Sequence, residues 1–92
     1  MIIYKYPLQM LPLVRIGPTK RILKPLTVQL QNNVPTLWAE VDENTVEEHG
    51  YDIWLLATGM IYTKEMLEGT TYVGTIQFGI DTVYHFYIKS VL

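Results

Sequence analysis

No cysteine occurs in the 92 residues. That excludes disulfides, thiolate zinc sites and a cysteine nucleophile together, and it fits a reducing compartment. No apolar run approaches the roughly 20 residues that a membrane span needs. The N-terminal MIIYKYPL is apolar but short, with neither a basic stretch ahead of it nor a small-residue cleavage site after it. An intracellular protein without a signal peptide is therefore expected. Histidine is scarce, at His49 and His85 only. The G-x-S-x-G, phosphate-loop, G-x-G-x-x-G and H-E-x-x-H patterns are all missing. No catalytic residue, cofactor or metal is expected. Glu47, Glu48, His49 and Asp52 carry ligating groups, but neighbours along one loop seldom converge on one ion.

What is present points to one globular domain over residues 1–92. Apolar residues make up 49 % and charged ones 17 %, a balance that supports a modest core and argues against disorder. The clearest local pattern is Leu26 to Asp42. Leu26, Val28 and Leu30 alternate with Thr27, Gln29 and Gln31, and after Asn32-Asn33 the residues Leu37, Ala39 and Val41 alternate with Thr36, Trp38, Glu40 and Asp42. A period of two on both arms, around asparagines that tolerate φ > 0, predicts a β-hairpin with one buried face.

The other segments read as strands beside it. Ile2 to Leu8 places Tyr4, Tyr6 and Leu8 on one face, with Pro7 marking an edge or an end. Met10 to Thr19 is punctuated by Pro12, Gly17 and Pro18, so it reads as a connection holding a short extended piece, Leu13 to Ile16. Pro25 predicts a bulge just before the hairpin. Tyr51 to Thr58 is apolar on both faces, as a covered central strand would be. Thr63 to Glu68 allows a short helix with Thr63 as N-cap. In Thr71 to Phe78 the residues Tyr72, Ile76 and Phe78 oppose Val73, Thr75 and Gln77. In Thr82 to Val91 the residues Tyr84, Phe86 and Ile88 oppose Val83, His85, Tyr87 and Lys89. The expected fold is all-β: an antiparallel meander of five or six strands forming a small barrel or sandwich, with at most one short helix near 63–68.

IIYKYPL at 2–8, VQLQNNVPTLWAEVD at 28–42, ATG at 57–59, YVGTIQ at 72–77 and VYHFY at 83–87 occur in an order and spacing that resembles a family of small bacteriophage and prophage proteins. The likeness covers nearly the whole chain. It implies a phage-encoded accessory protein in the host cytoplasm, and it carries no activity or catalytic residues. Relatives often have histidine after the ATG-like step, where this chain has Met60. Small phage proteins of this kind often block host defence or sequester a host signal, which is an analogy of context.

The more polar strand faces hold the candidate binding residues. If all registers hold, Trp38, Trp54, Gln29, Gln31, Gln77, His85 and Tyr87 share one face with Thr36, Glu40, Thr75 and Lys89. Tryptophan and tyrosine bury large areas while keeping a polar handle, which suits recognition. Three explanations stand: self-association into an oligomer, cover by loops and the 62–68 helix, or a surface for a ligand or host protein. Nucleic acid is not expected, because Lys89 is the only cation on that face and acids flank Trp38. The alternatives are an oligomeric protein that sequesters a small anionic nucleotide between subunits, held by Arg15, Arg21 or Lys24, and a minor structural or assembly role in the virion. Five of the seven basic residues lie at 5–24 and six of the nine acidic ones at 40–52. Two readings stand: opposite charged rims that make a dipolar surface and, favoured because charged loops are ordinary, loops simply solvated by their charges.

Overall fold

The computed structural model describes Met1–Val91. Among the described residues seven strands form two antiparallel sheets: β1 (Ile2–Pro7), β2 (Leu13–Thr19), β3 (Ile22–Gln31), β4 (Val34–Val41), β5 (His49–Ala57), β6 (Thr71–Phe78) and β7 (Thr82–Ser90). The first sheet has the order β1-β4-β3 and the second β2-β5-β7-β6, and they do not close into a barrel. This is the sandwich outcome, with two differences from the expectation. Residues 13–19 are a full strand, because β2 pairs with β5 despite its glycine and proline. The order is also not a meander, since the chain changes sheet after β1, β2 and β4. No helix among the described residues is long and apolar enough to cross a membrane.

The hairpin β3–β4 forms as its sequence dictates. Gln31 pairs with Val34, leaving Asn32 and Asn33 as a two-residue loop with φ of 52° and 65°. Positive φ at both positions matches the right-handed twist of the flanking strands. The register shifts twice in β3, once between Ile22 and Lys24 and once between Pro25 and Thr27. Leu23 and Leu26 are the extra residues, so regular pairing starts one residue later than Pro25 alone suggested.

Core side chains come from both sheets. Val28, Leu37 and Ala39 of the first sheet join Ile53, Phe86 and Ile88 of the second in a single cluster. Two tyrosine hydroxyls cross between the sheets. Tyr51 Oη accepts a bond from the Ile22 N–H at 2.7 Å, and Tyr6 Oη bonds Thr19 Oγ1 at 2.7 Å.

Burial raises the Tyr6 phenol above its ordinary value of 10.0, with the Thr19 bond opposing in part. A raised native value means that the folded state holds this proton more tightly than the unfolded chain does. Its contribution is complete below about pH 10 and is lost as pH rises through the native value. In Tyr6→Phe that alkaline loss should shrink. Below pH 9 the variant should be about 1 kcal/mol less stable, since Thr19, only 7 % exposed, loses its partner. Urea midpoints measured across pH 8 to 12 check both signs.

Candidate functional site

Both β5 and β6 run antiparallel to β7, so they are parallel to each other. The link between them must therefore travel back along β7, which takes about a dozen residues. Residues 58–70 do this across the outer face of the second sheet. Met60 and Tyr62 line a cavity with Leu56, His85 and Tyr87, and Gly69 lies beside the Lys89 side chain. A 3-10 turn at Lys64–Leu67 follows Thr63, and its Met66 and Leu67 are half-buried while Lys64 and Glu65 are exposed. This is the short helical element expected from sequence, in its tightest form. Leu56, on the outer face beside Met60 and Tyr62 of the crossover, is only 3 % exposed.

On that face the register lines up Leu13, Trp54, Tyr87 and Tyr72 across β2, β5, β7 and β6. The Tyr72 and Tyr87 rings meet edge to face with centroids 5.5 Å apart. Sequence alternation alone puts Tyr72 on the opposite face, with Ile76 and Phe78. A register shift between Tyr72 and Gly74 leaves Val73 unpaired and swings Tyr72 round to join Thr75 and Gln77. The signal was Gly74, because an isolated glycine in a strand often marks a bulge.

A hydrogen-bonded chain crosses the same surface. His85 Nε2 bonds Thr58 Oγ1 at 2.7 Å, its Nδ1 bonds Thr75 Oγ1 at 3.0 Å, and Thr75 in turn bonds the Tyr72 hydroxyl. Each hydroxyl can donate or accept, so either imidazole tautomer is satisfied. A triad would need a carboxylate to fix the tautomer, and here hydroxyls occupy both ring nitrogens. The cavity beside this chain measures about 300 Å³ and includes Ala57, Thr58 and Gly59. A second hollow of about 160 Å³ shares Ala57 and Met60 with it and brings in Met10, Leu11 and Pro12.

The expected single polar face is divided between two sheets. Trp54, His85, Tyr87, Gln77, Thr75 and Lys89 lie on the second sheet. Trp38, Gln29, Gln31, Thr36 and Glu40 lie on the outer face of the first, across the shared core. There Trp38 stands between Lys5 and Thr27, and Gln31 accepts a bond from Lys5 Nζ at 3.0 Å. Gln77 is turned to the carbonyls of Gly79 and Ile80. Thr58, Met60, Tyr62, Leu13 and Tyr72 were not found from sequence.

Opposite charges also meet across strand pairs. Antiparallel pairing lays the basic N-terminal strands against the acidic middle of the chain. Arg15 Nε bonds Asp52 Oδ1 at 2.5 Å, Lys24 pairs in register with Glu40, and the N-terminal amine bonds Glu43. The hydrogen bond and the charge of Asp52 both hold Arg15 above its ordinary value. Arg21 lies in the β2–β3 link, with its backbone bonded to Asp42 and Thr45. Arg15, Arg21 and Lys24 sit on β2, in the β2–β3 link and on β3 respectively. Among the described residues no group of three metal-ligating side chains gathers.

Residues 1–91 match a family described as a domain of unknown function, DUF7352. No curated protein and no solved structure matches the chain.

Proposed function

The chain belongs to the DUF7352 family of domains of unknown function, and from that premise we propose a recognition protein rather than an enzyme. In this reading it is a bacteriophage-encoded accessory protein that docks on a host protein in the host cytoplasm, with interference in antiviral defence as the outcome. Its sequence motifs, which resemble those of phage and prophage proteins, supply that setting.

The supporting observation is an apolar surface that runs around one end of the second sheet. Leu13 on the edge strand β2 adjoins Trp54, and Met10, Leu11, Met60 and Tyr62 continue it around the two hollows. Ile61 at the head of the crossover is 95 % exposed. Contiguous exposed apolar surface on a small domain marks a protein contact, and aromatic anchors dominate such contacts. The nucleotide alternative has no comparable observation behind it, and Arg15 is already bonded to Asp52.

Pull-down from host lysate should recover one stoichiometric protein, and Leu13→Asp or Ile61→Asp should lose it while keeping the parent unfolding midpoint. A partner retained equally by both variants would sink this assignment of the face. Light scattering on the purified chain tests the competing occupant. A dimer that Leu13→Asp dissociates would give the surface to a second copy instead.

A further inference from the structure

Within the docking surface the 300 Å³ cavity has its own chemistry. Leu56 is a nearly buried floor, Met60, Tyr62 and Tyr87 are walls, and Thr58 with His85 makes one polar corner. The volume falls at the bottom of the range for small-molecule sites, about 300–1,000 Å³. No acid, lysine or arginine lines it, so a cationic side chain would find no carboxylate partner there. Methionine and aromatic walls favour a flat ring through sulfur–aromatic and edge-to-face contacts. The Thr58 hydroxyl has one donor and two acceptor positions, and its bond to His85 uses one of the three. A further donor can therefore be accepted at the polar corner.

We propose that this cavity receives an aromatic side chain with a polar hydrogen, tyrosine or tryptophan, from the docked protein partner. The inference rests on the docking reading above. The ring fills the space over Leu56 between Met60 and the tyrosines, and its O–H or N–H donates to Thr58 Oγ1. A phenylalanine fits the walls but leaves the corner without its bond.

The probes are 4-methylphenol and toluene, the side chains of tyrosine and phenylalanine, titrated into the labelled full chain and followed by NMR. Saturable shifts at Leu56 and Met60 are expected with 4-methylphenol, which should bind roughly two- to tenfold tighter than toluene, the discrimination one neutral hydrogen bond supplies. Thr58→Val should erase the difference. Met60→Asp, at an exposed position, should weaken both probes. Absence of saturable shifts, or equal binding of both probes to the parent chain, overturns the proposal. If a partner is captured but 4-methylphenol does not bind, docking stands and the aromatic anchor falls. If 4-methylphenol binds with the stated preference and no partner is captured, the docking reading is the one that fails.

Discussion

Phe86→Ala should destabilise the protein by about 3–5 kcal/mol, the range for an aromatic truncated in a close-packed core. Phe86 is the largest of the fully buried side chains and is 0 % exposed. It pairs with Leu55 of β5 on one side and Gly74 of β6 on the other, so its ring fills the middle of the second sheet's inner face. For a domain of this size total stability is about 5–14 kcal/mol, and the loss is a large share of it. The consequence reaches the outer surface. His85 and Tyr87 flank Phe86 on β7 and project to the opposite side, so their placement relies on the strand that Phe86 anchors. Urea or guanidinium unfolding checks the figure. A loss below about 1 kcal/mol would mean that the site collapses around the smaller residue.

Gly17→Ala should cost about 2–4 kcal/mol, by a different route. Gly17 has φ of +127°, where residues with a Cβ are strained, and an added Cβ would lie 2.6 Å from the His49 carbonyl oxygen. That oxygen belongs to backbone, and Gly50 Cα stands at 3.1 Å, so no side chain can turn aside to make room. Relief requires β2 to move away from β5 at the point where their register already shifts, between Ile16 and Thr19. Amide exchange should therefore rise first in residues 13–19, before global unfolding. Gly59→Ala is a useful contrast. Its φ is also positive at +88°, but nothing lies within 4 Å of the added carbon, so it should cost only the conformational strain, about 1–2 kcal/mol. Equal costs for the two substitutions would show that the close approach to His49 contributes nothing.

How much of the fold was legible in the sequence depended on how local its cause was. The β3–β4 hairpin needs only period-two alternation and two asparagines that accept positive φ, and all of that lies within seventeen neighbouring positions. The alternation of β7 and the two-sided burial of β5 were legible for the same reason. Strand β2 was not, because its glycine and proline look like a connection and only the ladder with β5 makes the segment a strand. Tyr72 was misplaced because a single unpaired residue at Val73 inverts every side chain before it. The uneven spread of charge is plain in the sequence, but only the β2–β5 ladder brings Arg15 and Asp52 into contact.

The sequence by itself determined where most strands lie, which of their residues are fit for a core, and that no thiol chemistry or long apolar helix is involved. Those properties follow from residue type and from the two-residue repeat of an extended chain, so they need no distant partner. The tertiary structure decided which faces are shared. Trp38 and Trp54 have equivalent places in their own alternations, yet β1 and β3 pair with β4 while β2 and β7 pair with β5, and the two indoles end on different sheets. Strand pairing is a contest among distant segments for one buried interface, and the crossover at 58–70 that encloses the candidate cavity exists only because of how that contest resolved.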